Sequence, residues 1–304
     1  MKYTDLAIES AEILRSSMPK NSSQIPGISI AEHKGLTGVL TTRITIETED
    51  ASRRMGKPCG TYVTIESQDF LQGEPEAAIA LREAVATELS LLLPFHQRLK
   101  VLIVGIGNEK ITPDSLGPHT ISKVRITRPL FVTYEADSDT RQANVAALNP
   151  GVMAQTGIET AEIIRKLVEH LAPEAVICVD SLAARDPGRM NTTIQLTDTG
   201  IAPGAGTKNN RALLNKETLG CKVLAIGVPT VIHCQALLND PQAPDMIVTA
   251  TNIDHVIHAF STVIAEGLNL ALHPGLSSEN HSSSSQRSST TPSPHSDLSY
   301  EAVL

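Results

Sequence analysis

The sequence predicts an α/β fold: a sandwich in which helices flank a mainly parallel central sheet, with a small β-rich section near the N-terminus. Three apolar runs typical of buried strands indicate this fold, at residues 101–107, 175–180 and 222–228. A helical pattern lies between the first two runs. Strand, helix, strand is the order of a parallel βαβ unit, because a parallel neighbour is reached only through a crossover connection.

The elements before this unit are shorter. Residues 4–14 have a helical pattern, which the polar cluster after Pro19 interrupts. Apolar and polar residues alternate from Gly38 to Glu47, and a second β-rich run covers residues 62–65, so we expect a strand pair. Residues 75–93 then repeat apolar side chains at helical spacing, which predicts a helix with one buried face.

The elements after residue 107 complete the pattern. Thr156 and Glu159 have the spacing of a capping box, which predicts a helix that starts there and ends before Pro173. A strand-like segment covers residues 191–195, and residues 253–272 have the periodicity of a long helix. The remainder is rich in Ser, Thr and Pro and has little to bury. We therefore expect one folded domain over residues 1–275 and a disordered tail over residues 276–304.

Composition argues against several classes of protein. The net charge of −8 argues against a nucleic-acid binder, which usually carries a basic face. No run approaches the roughly 18 apolar residues of a membrane span, and the N-terminus lacks the apolar core of a signal peptide. The four cysteines have no CxxC spacing, so neither a zinc site nor a redox dithiol is expected. These observations predict a soluble, cytoplasmic protein without a metal or a cofactor.

Two aspartates at the ends of predicted strands are the strongest functional signal. Asp114 lies a few residues after the 101–107 run, and Asp180 ends the 175–180 run. Because ligands of parallel sheets bind beyond the carboxyl ends of the strands, both side chains are expected at one end of the sheet. Two carboxylates held close together do not both ionise readily, so one can act as an acid while the other acts as a base. An equally open interpretation is that each Asp caps the helix that follows it.

Other motifs favour structural roles. Gly105-Ile106-Gly107-Asn108 lacks the third glycine of a dinucleotide loop, so a sharp turn at the strand end is expected. Asp198-Thr199-Gly200 is similar to the triplet of pepsin-type proteases, but a single copy in an α/β pattern favours a turn in which the Asp bonds its own backbone. Ser115 and Ser181 are interpreted as caps or turn residues, and His119 as a surface histidine.

Many ordered segments of the chain resemble the germination protease (spore protease) family of endospore-forming bacteria. Together they cover about residues 4–275, and the Ser-rich tail lies outside the resemblance. The matching segments are Thr4-Asp5-Leu6-Ala7, Gly56-Lys57-Pro58-Cys59-Gly60-Thr61-Tyr62-Val63-Thr64, Val104-Gly105-Ile106-Gly107-Asn108, Thr112-Pro113-Asp114-Ser115-Leu116-Gly117-Pro118, Pro150-Gly151-Val152-Met153, Thr156-Gly157-Ile158-Glu159-Thr160, Asp180-Ser181-Leu182-Ala183-Ala184-Arg185, Asp198-Thr199-Gly200-Ile201, Gly204-Ala205-Gly206, Lys216-Glu217-Thr218-Leu219-Gly220 and Ile226-Gly227-Val228-Pro229-Thr230-Val231.

The resemblance implies a homotetrameric endopeptidase that degrades small acid-soluble spore proteins in the core of the germinating spore. It implies a fold similar to hydrogenase maturation proteases and an atypical aspartic mechanism whose essential carboxylates map onto Asp114 and Asp180. It also implies a zymogen whose short propeptide is removed just before the Thr4 segment. Because only residues 1–3 precede Thr4, three alternatives stay open: a vestigial propeptide, a start codon upstream of Met1, or a different control of activation.

Two alternative functions stay open beside the endopeptidase with an Asp pair. One is a metal-assisted endopeptidase of the hydrogenase-maturation type, in which Asp114 and Asp180 would supply two ligands to a metal in the substrate. The other is a binding protein of the spore core that holds acid-soluble proteins without cutting them. Dependence of activity on a metal, or an absence of cleavage, would separate these functions from the first.

Overall fold

The computed structural model describes residues 4–19, 25–35, 38–133, 141–204 and 212–275. The predicted tail at 276–304 and residues 205–206 of the Gly204-Ala205-Gly206 segment lie outside these ranges. The domain division therefore stays a prediction.

Nine strands form a single sheet within the described ranges, in the order β1-β2-β3-β7-β8-β6-β4-β5, with β9 paired to the far end of β8. The strands are β1 (Ile28–Lys34), β2 (Leu40–Ile46), β3 (Gly60–Glu66), β4 (Lys100–Gly105), β5 (Asn144–Leu148), β6 (Ala175–Ala184), β7 (Thr193–Thr197), β8 (Lys222–His233) and β9 (Ile247–Val248).

The α/β class is confirmed, but the sheet is mixed rather than mainly parallel. Strands β5, β4, β6 and β8 run parallel to one another, as the apolar runs predict. Strands β1, β2, β3 and β7 continue the same sheet through antiparallel pairs. The predicted N-terminal β-rich section is therefore an extension of the central sheet. Local patterns missed this because β7 pairs with β3, which is remote in sequence, and alternation within a strand does not encode its neighbour.

Helices cover both faces of the sheet. On one face, α3 and α10 pack over buried residues of β4, β6 and β8, with α4 beside them. On the other face, α7 covers one part of the sheet and α1 covers another. The helices are α1 (Ala7–Ser16), α2 (Glu49–Met55), α3 (Pro75–Leu92), α4 (Leu116–Ile121), α5 (Arg128–Thr133), α6 (Met153–Thr156), α7 (Thr160–Leu171), α8 (Lys216–Leu219), α9 (Cys234–Leu237) and α10 (Ile253–Leu272).

Three local predictions differ from the structure. Helix α7 begins after Glu159, and Thr156 instead ends the short helix α6, so the predicted capping box does not form. Strand β6 continues to Ala184 and β8 continues past Pro229. A proline is tolerated there because the pairing of β6 and β8 shifts register beside it, and bulges are among the positions where strands accept proline.

Helix α10 is the one described helix long and apolar enough to cross a membrane. Its apolar face is a central part of the core, where Phe260 packs edge-on against Phe70 at a ring distance of 4.8 Å. A buried core helix of a globular domain meets the same criteria of length and composition.

Candidate active site

The alternation of β6 positions Asp180 between two apolar clusters on one face of the sheet. Val176 and Cys178 pack under α7, whereas Leu182 and Ala184 pack under α1. Side chains two residues apart in a strand share a face, so Asp180 lies between these pairs. The space between the two helix-covered clusters is a cavity of about 520 Å³, and Asp180 is among the residues that line it.

The surroundings of Asp180 are tightly packed. Its side chain is only 4% exposed, and its Oδ1 atom accepts a hydrogen bond from the Ser181 N–H at 2.8 Å. Gly227 lies opposite Asp180 in β8, where an added Cβ would come within 2.5 Å of the Leu182 Cγ atom and 2.9 Å of the Asp180 carbonyl oxygen. A glycine is therefore needed here for β8 to approach β6 at this point.

Asp114 lies in a 3₁₀ turn (Thr112–Asp114) that follows the end of β4. The Asn108 N–H donates to the Asp114 Oδ2 atom at 2.8 Å and to its carbonyl oxygen at 3.0 Å. Gly107 makes this closure possible, because its φ is +120° and a Cβ there would be 2.0 Å from the Asp114 carbonyl oxygen. The Thr230 hydroxyl of β8 also donates to the Pro113 carbonyl at 2.7 Å, which ties the turn to the sheet.

Both predicted aspartates line the same cavity. Strands β4 and β6 are adjacent and parallel, and the cavity opens toward their carboxyl ends, as expected for ligand sites of parallel sheets. Asp180 lies inside β6 rather than just after it, and neither aspartate caps a regular helix. Two carboxylates that line one cavity are the groups that an acid–base pair for activating water requires.

Asp5 and Lys57 also line this cavity, although no sequence motif indicated a role for either residue. Asp5 pairs with Ala183 of β6: its N–H donates to the Ala183 carbonyl at 2.9 Å, and its Oδ2 atom accepts from the Ala183 N–H at 2.8 Å. The Lys57 Nζ atom donates to the carbonyls of Asp5 and Thr4 at 2.9 and 3.3 Å. Desolvation raises the pKa of Asp5 and lowers the pKa of Lys57, and each charge partly offsets the effect on the other.

Two more side chains fix the N-terminal segment to the end of β6 and to β7. The carboxylate of Glu9, only 3% exposed, accepts hydrogen bonds from the N–H groups of Arg185 and Asp186 at 2.7 to 3.1 Å. The Gln195 side chain accepts from the Ala7 N–H at 2.7 Å and donates to the Asp5 carbonyl at 3.0 Å. Together, the N-terminal segment and Lys57 form one wall of the cavity. The only sequence signal for this wall was that Thr4-Asp5-Leu6-Ala7 and the segment with Lys57 are among the segments that resemble the family.

Tyr62 of β3 closes another side of the cavity. Its hydroxyl donates to the Pro58 carbonyl at 3.0 Å and accepts from the Thr199 hydroxyl at 3.1 Å. Burial is the main cause that raises the pKa of Tyr62 to about 12, so the phenol stays protonated at neutral pH.

The other motif residues have structural positions. Asp198 does lie at a turn, but its Oδ1 atom accepts from the Thr61 N–H of β3 at 2.8 Å instead of bonding its own backbone as predicted. The Nδ1 atom of His119 contacts the carbonyl of Ser115 at 2.9 Å, and the hydroxyl of Ser115 bonds the preceding turn. Ser181 lies within β6 and lines the cavity, so its interpretation as a cap or turn residue is wrong.

No three His, Cys, Asp or Glu side chains come together as a metal-ligand set in the ranges that the structure describes. Cys178 is buried in β6, and the other three cysteines are also unpaired thiols.

Comparison with known proteins identifies relatives over most of the chain. A family model described as germination protease matches residues 7–243. The germination protease of Clostridium perfringens is 34% identical over 90% of this chain and 95% of its own length. That of Caldanaerobacter subterraneus is 35% identical over 90% of this chain and 94% of its own. That of Bacillus cereus is 38% identical over 87% of this chain and 69% of its own.

Proposed function

Because this chain belongs to the germination protease family, a family of peptidases, we propose that it starts the degradation of small acid-soluble spore proteins during germination. We propose Asp114 and Asp180 as its catalytic pair. The observation that supports this assignment is that two carboxylates line one cavity large enough for a peptide segment: Asp180 lies in β6, and Asp114 lies in the turn that follows the parallel neighbour β4.

The proposed reaction is the hydrolysis of a peptide bond by an activated water. The ionised aspartate takes a proton from the water, whose oxygen then attacks the scissile carbonyl carbon. The protonated partner donates to the carbonyl oxygen. When the C–N bond breaks, the aspartate that took the proton from the water passes it to the leaving amine. Each carboxylate has one oxygen that accepts from a main-chain N–H. In the proposed mechanism we treat the two groups as one coupled acid.

The proposal includes three properties that the family resemblance implies. The enzyme acts in the cytoplasm of the spore core, it assembles as a homotetramer, and it is made as a zymogen. Sedimentation of the purified chain measures the assembly, and mass analysis of the mature N-terminus measures the processing.

The test is incubation of the full chain with a purified small acid-soluble spore protein, followed by mass mapping of the fragments with and without a chelator. We expect a few discrete fragments in equal yield under both conditions. An absence of cleavage by the processed protein, with its mature N-terminus defined by mass analysis, would contradict the proposal and favour a binding protein. Loss of cleavage with the chelator, restored by a stoichiometric divalent ion, would favour the metal-assisted alternative.

A further inference from the structure

Two segments of the chain form hydrogen bonds to the same edge of β6, at two separate places. Strand β4 covers its first half, up to a hydrogen bond from the Ile106 N–H to the Val179 carbonyl at 2.8 Å. The N-terminal segment covers its far end, where Asp5 exchanges two hydrogen bonds with Ala183. The opposite edge of β6 is paired with β8 throughout.

Ser181 lies between these two covered places. Successive residues of a paired strand direct their main-chain groups to opposite neighbours, so Val179, Ser181 and Ala183 share one edge. The Ser181 N–H is engaged by the Asp180 Oδ1 atom at 2.8 Å. In the described part of the chain, no strand lies opposite the Ser181 carbonyl on this edge.

This position on β6 opens toward the cavity. Of the ten residues of β6, Ser181 is the one that keeps partial exposure, while its neighbours on both sides are buried. Val179 and Ala183 are separated by four residues of strand, or about 13 Å. One ladder position of this edge, at Ser181, therefore lies between the hydrogen bonds that Val179 makes with Ile106 and Ala183 makes with Asp5.

An extended peptide is the ligand that fits such a position. A peptide can donate a main-chain N–H to an open carbonyl at a strand edge whatever its side chain is. Peptides that add to the edge of a sheet bind in this way. The acceptor here is the main-chain carbonyl of Ser181, the residue that follows Asp180. Consecutive Cα atoms lie about 3.8 Å apart. A peptide bonded there has its main chain beside the proposed catalytic pair.

We propose that Ser181 is a substrate-positioning residue, whose main-chain carbonyl accepts the N–H of a substrate residue within two positions of the scissile bond. This inference rests on the proposed function and deepens it. Under this proposal, Ser181 recognises the extended main chain of the substrate and not a side chain.

The test replaces single amides of a substrate by esters. A peptide that spans a mapped cleavage site is synthesised with one backbone ester at a time, with the scissile amide kept. An ester removes the N–H donor and keeps the side chain, and one lost hydrogen bond reduces binding by up to about tenfold. We expect kcat/KM to fall by about tenfold for one ester within two residues of the scissile bond, and by less than about twofold for the others.

Ser181→Ala provides the matched enzyme control. The Ser181 Oγ atom has no hydrogen-bond partner among the described residues, so its removal breaks no bond. Because the proposed contact uses the main chain, the same ester position must stay sensitive in this variant. Sensitivity that disappears in Ser181→Ala would overturn the assignment, since the side chain would then make the contact.

The outcomes separate this inference from the function on which it rests. Cleavage of the all-amide peptide with no sensitive ester position overturns the role of Ser181 and leaves the endopeptidase proposal intact. Failure to cleave both the all-amide peptide and the parent protein overturns the two together.

Discussion

Replacing Lys57 by Met should destabilise the fold by about 3 kcal/mol at pH 8. Methionine keeps most of the stem of the side chain but removes the ammonium that donates to two carbonyls of the N-terminal segment. The carboxylate of Asp5 then stays in a desolvated place without its cation. Removing one partner of a buried ion pair costs about 3–5 kcal/mol. We take the lower end because Lys57 contacts the Asp5 carbonyl and acts on the carboxylate through its charge, without a direct salt bridge.

The loss should shrink as the pH falls. Desolvation already holds the pKa of Asp5 above its ordinary value, and Lys57 is the main group that lowers it. Without Lys57 the folded-state pKa rises further above that of the unfolded chain. The stability linked to such a group is fully present below the unfolded pKa and is lost as the pH rises through the folded pKa. Lys57→Met should therefore be closer to the parent protein at pH 5 than at pH 8.

Urea unfolding at pH 5 and pH 8 measures this prediction. In Asp5→Asn/Lys57→Met, the amide oxygen can still accept from the Ala183 N–H and no charge is left unpaired, so most of the stability should return. Lys166→Met is the control, because Lys166 pairs with Glu169 on an exposed helix face and such pairs contribute less than about 1 kcal/mol. A loss below 1 kcal/mol for Lys57→Met, equal at both pH values, would refute the reasoning.

Three other predictions address the walls of the site and the core. Gly107→Ala should abolish cleavage and lower the melting temperature, because its Cβ would overlap the Asp114 carbonyl. Burial lowers the pKa of His273 to about 4, so the free energy of unfolding should fall by up to about 3 kcal/mol as the pH drops from 6.5 to 4, and His273→Leu should flatten that slope in urea titrations. Asp198→Asn should retain at least about a fifth of the cleavage rate, because the amide oxygen can keep the bond to Thr61.

A different outcome would contradict each of these three predictions. Parent-like activity in Gly107→Ala would show that the Asp114 turn is not closed as described. An unchanged acid slope in His273→Leu would assign that slope to other groups. Loss of all activity in Asp198→Asn would favour a pepsin-like role for the Asp198-Thr199-Gly200 triplet.

The sequence was sufficient for the elements whose patterns are local. The apolar runs predicted β4, β6 and the first half of β8, and the helical periodicities predicted α3 and α10 close to their observed ends. Because parallel strands end on the same side, the strand–helix–strand order also predicted that Asp114 and Asp180 lie at one end of the sheet.

The elements that depend on remote partners could not be predicted. Strand β1 is exposed at nearly every position, and its apolar alternation is limited to Ile28 and Ile30, which is too short to predict a strand. The wall formed by Asp5 and Lys57 depends on Ala183, which is far away in the sequence. Neither charged residue carries a local signal, because buried and exposed charged residues look alike in sequence. The extension of β6 beyond Asp180 likewise depends on pairing with β8 and with the N-terminal segment.

The central claim is that Asp114 and Asp180 act as one catalytic pair, and the most direct measurement is the cleavage rate of a small acid-soluble spore protein by Asp114→Asn and Asp180→Asn. Asparagine keeps the size and one acceptor oxygen but cannot exchange a proton, and general acid–base catalysis contributes about 10²–10⁴ in rate. We expect each variant to lose at least about a hundredfold in rate with its melting temperature nearly unchanged, while Asp254→Asn, at an exposed position of α10, keeps the parent rate. A folded variant of either aspartate that retains more than about a tenth of the rate would contradict the account.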